Sequence, residues 1–212
     1  MKTIEKSGLC NPNSIAHVTL RSIEEIVGTN GLNAILKHAG LDELINNFPP
    51  KNWDKAFDFS YYTALNAAIH DIYGLRGGRV LAIRTGRATF TEMRNTYGAM
   101  VKATDIAIKL VPLKVKMTLW FRAMTTAFNA ASDQQTSIEE TENEFIYTVG
   151  NCPSCWGIEN AEKPICSMQV GLIKQSLYCL SQGKEFNVYE ATCHAMGDKA
   201  CTFVIQKEPI GE

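Results

Sequence analysis

The chain has 212 residues, of which 45% are hydrophobic and 20% charged, with a formal net charge of −1; this is enough for a full hydrophobic core of ordinary globular type. So balanced a charge leaves no basic footprint for nucleic acid, and neither a zinc-finger spacing ending in paired histidines nor an aromatic-basic RNA motif occurs. The most apolar stretch, 99–131, is broken by Lys102, Asp105, Lys109, Lys114, Lys116 and Arg122, so it lacks the roughly 20 consecutive apolar residues of a membrane span.

The N-terminal MKTIEKSGLCNPNS has no uninterrupted apolar stretch and no small-residue cleavage pattern, and the expected location is the cytoplasm. Residues 14–27 and 30–39 have apolar positions at helical spacing, with Asn13 or Ser14 as caps and Gly28 and Gly40 as stops, which predicts a helical hairpin. The Pro-rich INNFPPKNWDKAFD that follows marks a joint. It separates an N-terminal helical segment (1–50) from a second domain (58–206). Ser60 to Tyr73 reads as a helix closed by Gly74, Gly77 and Gly78. RVLAIRTGRATFTEMRNTYG reads as another, with Gly86 placed where a neighbour or ligand comes close. Residues 99–131 predict one long helix or two, kinked at Pro112.

The period then changes. Phe145, Tyr147 and Val149 alternate with polar positions, as in a strand with one buried face. Residues 164–180 return to helical spacing, Gly183 ends them, and 185–194 and 200–206 form β-rich runs joined by AMGDK. The fold class is therefore α/β in the α+β sense, an antiparallel sheet with helices packed on it.

Five of the seven cysteines fall between 152 and 201, as CPSCWG, PIC and EATCHAMGDKAC. In a reducing compartment such a group points to metal binding or thiol chemistry more than to disulfides. Two ligand sets are open from spacing. Cys166, Glu190, Cys193 and Cys201 form one; the Cys152–Cys155 knuckle with Cys193 and Cys201 forms the other, a closed four-thiolate site. Regular alternation would put Glu190 and Cys193 on opposite faces of their strand, so joint ligation demands a bulge or a strand end between them. His194, next to Cys193, should point away. Cys10 and Cys179 read as ordinary thiols. No nucleophile elbow, phosphate loop or dinucleotide fingerprint occurs.

The stretch PICSMQVGLIKQSLYCLSQGKEFNVYEATCHAMGDKACTFVI, 164–205, resembles the 4-vinyl reductase domain family, whose hallmark is a helix opened by cysteine followed by E-x-x-C-x-x-x-G-x-x-x-C. Glu190, Cys193, Gly197 and Cys201 match that spacing. The resemblance implies an α/β fold shared with sensory domains of aromatic-responsive transcription activators. It implies a structural Zn2+ held by Cys166, Glu190, Cys193 and Cys201, a pocket for a small hydrophobic or aromatic molecule, and a homodimer. The added CPSCWG knuckle departs from the family pattern and makes Cys152 and Cys155 alternate ligands.

The function expected is accordingly a zinc-stabilised sensor or carrier, with Trp120, Phe121, Phe145 and Tyr147 lining the pocket. Two alternatives stand beside it: reduction of a vinyl group on a tetrapyrrole or similar substrate, or an interaction subunit of a larger system.

Overall fold

The computed structural model describes residues 4–98 and 111–211. A short strand β1 (Cys10–Pro12) leads into helix α1 (Asn13–Ala39), and β2 (Lys55–Asp58) leads into α2 (Phe59–Tyr97). Helix α3 (Leu113–Ala131) precedes β3 (Thr136–Glu140) and β4 (Glu144–Val149), followed by α4 (Ser167–Leu180), β5 (Phe186–Thr192) and β6 (Cys201–Pro209). The four C-terminal strands form an antiparallel sheet in the order β3-β4-β6-β5, and β1 pairs antiparallel with β2. This is the α+β architecture expected from the switch between helical and alternating periods. Among the described residues no helix is long and apolar enough to cross a membrane.

Both long helices break at a glycine. Gly28 (φ 74°, ψ 167°) interrupts α1 and Gly74 (φ 71°, ψ 171°) interrupts α2, a conformation open to glycine and strained for residues with a Cβ. In α1 two helical segments meet at this single residue. Neither Asn13 nor Ser14 caps α1. Pro12 occupies the cap position, and the Asn13 amide donates to Asn52 Oδ1 at 3.0 Å instead. Pro112 likewise sits at the cap of α3 rather than inside a helix, where its missing N–H costs nothing; the expected helix N-terminal to it, over 99–110, lies outside the described residues. At α2 the cap is Asp58, whose carboxylate accepts from the Ser60, Ser7 and Gly8 amides and the Ser7 hydroxyl. Burial works to raise its pKa, but these hydrogen bonds prevail and hold it down at about 2, tying the N-terminal strand to the start of α2.

Two apolar cores result. One gathers α1 and the first part of α2 around Leu20, Ile23, Ile35 and Leu65, and reaches Met168 of α4. The other fills the space between the sheet, α3 and α4 with Phe121, Phe145, Phe186 and Phe203. Alternation along β4 is regular, with Phe145, Tyr147 and Val149 all buried. The cores meet where α2 crosses α4. A Cβ on Gly86 would overlap the Met168 carbonyl, and one on Gly171 would overlap the Ile83 carbonyl, so the two backbones touch without intervening side chains.

Gly86→Ala and Gly171→Ala should therefore each destabilise the protein by about 1–3 kcal/mol or more through overpacking. Gly77→Ala, whose added Cβ meets only Tyr73 Cβ at 3.5 Å, should be neutral or stabilising by up to about 1 kcal/mol. Urea unfolding of the three variants checks the contrast.

Candidate metal centre and adjoining cavity

Four separate segments deliver the cysteines to one buried place. Cys152 and Cys155 come from the turn after β4, Cys166 from the cap of α4, Cys193 from the end of β5 and Cys201 from the first position of β6. All five are buried. Cys152 and Cys166 Sγ are 3.5 Å apart, Cys155 and Cys201 3.4 Å, Cys166 and Cys201 3.7 Å, and Cys166 and Cys193 3.9 Å. A tetrahedron with metal–sulfur bonds of about 2.3 Å has edges of about 3.8 Å, so these spacings are those of a metal-ready site.

Glu190 joins through the irregularity the sequence demanded. Between Glu190 and Thr192 the pairing with β6 slips, Glu190 standing opposite Phe203 and Thr192 opposite Thr202. The bulge lets Glu190 and Cys193 face the same cluster. Glu190 Oε2 accepts from the Cys166 amide at 2.8 Å, while Oε1 is buried with no hydrogen-bond partner among the described residues. An orphaned carboxylate oxygen beside three thiols fits a cation. Cys193 is fixed through its amide, which donates to Asp198 Oδ2 at 2.8 Å, and the left-handed Gly197 (φ 96°) closes the turn.

Two donor sets have all ligand atoms within 4.8 Å of one another: Cys152, Cys155, Cys166 and Cys201, and Cys166, Glu190, Cys193 and Cys201. The four-thiolate set thus contains Cys166 where spacing alone had suggested Cys193, because the cap of α4 lies nearer the knuckle than the end of β5 does. His194 is exposed, and only its backbone amide approaches the cluster, donating to Cys201 Sγ at 3.4 Å. Cys10 and Cys179 lie half-buried in β1 and α4 and belong to neither set.

Proton sharing polarises the cluster. Hydrogen bonds from Cys155 and Cys166 hold the Cys193 thiol down at about 6, and those from Cys152 and its neighbours depress Cys201 strongly. The Cys155 and Cys166 thiols are pushed up, foremost by Cys152. Burial, with the negative Cys193 beside it, pushes Glu190 up to about 9. Soft thiolates with one carboxylate suit a Zn2+-class ion, which binds by displacing these protons.

A small cavity of about 50 Å³ lies against the knuckle, walled by Pro153, Ser154, Met168 and Gln169. Tyr62 and Thr89 of α2, Met124 and Phe128 of α3 and Tyr147 of β4 close the far side. Tyr62 Oη and Thr89 Oγ1 are buried without hydrogen-bond partners among the described residues. Of the four aromatics expected at a pocket, Tyr147 lines this cavity. Phe121 and Phe145 pack on each other in the core, centroids 5.1 Å apart, and Trp120 donates to Ser176 Oγ at 3.1 Å. Tyr62, Thr89 and Met168 were missed because each sits in a helical pattern that reads equally well as plain core.

Residues 145–207 match the model of the 4-vinyl reductase domain. The likeness to that family is confined to this C-terminal segment. That match is wider than the 164–205 that carry the resemblance and narrower than the second domain expected over 58–206, and it contains Cys152, Cys155, Cys166, Glu190, Cys193 and Cys201. No curated protein matches the chain in sequence. Among solved structures it is similar to the Fe(II) unliganded H-NOX protein from K. algicida, at 13% identity and a TM-score of 0.58, covering 95% of this chain and 99% of that one. It is also similar to an H-NOX protein from S. oneidensis in the Fe(II)NO ligation state, at 12% identity and a TM-score of 0.54, covering 91% and 98%. The phenol-responsive sensory domain of the transcription activator PoxR with phenol is 16% identical over 68% of this chain and 73% of that one, with a TM-score of 0.48. The H-NOX likeness extends the shared fold through the N-terminal helices as well as the matched segment.

The raised pKa of Glu190 has a sign that can be measured in metal-free protein. Folded protein keeps the proton up to about pH 9, whereas the unfolded chain loses it at about 4.3, so the group's stabilising contribution falls as pH rises between those values. Glu190→Gln, always neutral, escapes that loss. In chelator, thermal unfolding should find E190Q gaining on wild type from pH 5 to pH 8; a constant difference would contradict the assignment.

Proposed function

We propose that the protein is a metal-fastened small-molecule-binding domain, a sensor or carrier that works as a cytoplasmic homodimer. Its ligand is a small hydrophobic or aromatic molecule carrying a hydrogen-bonding group. The observation that carries this reading is the cavity: apolar walls, two buried hydroxyls with nothing to bond among the described residues, and a rim built from the cysteine knuckle. Unpaired buried hydroxyls are costly, and a ligand with a polar handle relieves them. A cavity near 50 Å³ is smaller than the ~150 Å³ that accepts benzene, so binding requires dilation. Met124 and Met168, unbranched and adaptable, supply it.

The metal in this reading is Zn2+, held by Cys166, Glu190, Cys193 and Cys201, with Cys152 and Cys155 as alternate ligands. When bound it supplies folding energy, because it pins the cap of α4, the end of β5 and the start of β6 to one point. Every position around it is filled by protein, so the ion is structural. For dimerisation, Leu75 and Val80 of α2 are exposed, at 70% and 59%, and offer apolar surface to a second copy.

Native mass spectrometry of the purified full chain should show a zinc-loaded dimer. Complete removal of zinc by a chelator should melt the 4-vinyl reductase domain, read as loss of amide protection across 145–207; native protection after removal would exclude a structural ion. For the pocket, isothermal titration with phenol and toluene should find that Tyr62→Phe with Thr89→Val weakens phenol roughly 2- to 10-fold, the worth of one hydrogen bond of about 0.5–1.5 kcal/mol. Toluene should be unaffected. Equal losses for both probes, or no binding of either, would overturn the pocket.

A further inference from the structure

The two donor sets share one edge. Cys166 and Cys201 belong to both, Cys152 and Cys155 to the first alone, and Glu190 and Cys193 to the second alone. The six donors do not form a single group within 4.8 Å, so one four-coordinate ion cannot use them all and would leave two idle. The shared edge measures 3.7 Å between the Cys166 and Cys201 sulfurs, the edge of a metal–thiolate tetrahedron. The unshared cysteines are similarly spaced. Cys152 and Cys155 approach that edge to 3.5 Å and 3.4 Å, and Cys193 approaches it to 3.9 Å. The two donor sets thus share one sulfur–sulfur edge of tetrahedral length.

We propose that the cluster holds two zinc-class divalent ions bridged by the Cys166 and Cys201 thiolates, one ion completed by Cys152 and Cys155 and the other by Glu190 and Cys193. Thiolate sulfur keeps lone pairs after binding one ion, so it can serve two. The charge is no worse than in a single site: six anionic donors around two divalent ions leave the same two negative charges as four around one. Each thiol proton lost on binding passes to solvent, and no oxidation is involved. Glu190 Oε1, buried without a hydrogen-bond partner among the described residues, gains one, and the CPSCWG knuckle, foreign to the family hallmark, acquires a role. The inference rests on the single-ion reading above and adds a second ion to it.

The test is metal stoichiometry in the zinc-loaded full chain by native mass spectrometry, with zinc X-ray absorption on the same sample. Wild type should carry two zinc ions per chain and show a metal–metal vector of about 3 Å, as expected for tetrahedra joined through bridging sulfur. Cys152→Ser with Cys155→Ser should drop to one ion and lose the vector. One ion in wild type would overturn the second site and leave the single structural ion standing, and none would overturn both. Two ions in the double variant would place the second elsewhere and overturn the proposal. If the variant fails to fold, the wild-type vector decides, since two ions without it are not bridged.

Discussion

Backbone contact between α2 and α4 at Gly86 and Gly171 sets the positions of nearly everything else. With no side chain between them, the helices have little freedom to slide or roll. The crossing fixes where the cap of α4 points, and that cap carries Cys166, a residue common to both donor sets. One turn further along, Met168 and Leu172 flank the contact and Thr89 follows Gly86 on α2, so the same crossing shapes the cavity. The cysteine cluster and the cavity are two ends of one rigid junction, with the segment Pro153–Ser154 as their common wall.

Hydrogen bonding secures the polar side of that junction. Thr63 of α2 donates to the Pro153 carbonyl at 2.8 Å, and the Asn66 amide donates to the carbonyls of Ser154 and Ile165 at 3.0 Å each. These carbonyls belong to the knuckle and to the segment just before Cys166, and the helix that holds them lies outside the matched segment 145–207. Hydrophobic burial alone would leave the loop free to rotate its cysteines away from the cluster. Directional bonds to its carbonyls remove that freedom, and residues distant in sequence thereby set thiol geometry.

The periodic parts were legible from sequence because a buried stripe imposes its period on the residues. Phe145, Tyr147 and Val149 announced β4, and the helical spacing of 164–180 announced α4. Gly28 and Gly74 marked true breaks, since only glycine enters their backbone region cheaply. The bulge between Glu190 and Cys193 followed from chemistry: two ligands on one strand at that spacing cannot share a face otherwise. What stayed hidden depends on tertiary approach. Nothing in α2 distinguishes Thr89 or Tyr62 from ordinary core until α3 and α4 close over them. Phe121 and Phe145 looked like pocket lining and are core. The choice of Cys166 over Cys193 in the four-thiolate set depends on a helix cap brought close by the Gly86 crossing, and local patterns carry no record of it.

The sequence distance between partners bears on the order of folding. The cysteine donors lie within 152–201, so their loops close over at most fifty or so residues, and the hairpin β5–β6 closes over far fewer. Gly86 and Met168, by contrast, meet across more than eighty residues, a slower search. The cysteine-bearing half therefore has the shorter loops to close, and the docking of α2 on α4 is the long-range step, although the N-terminal helices are synthesised earlier.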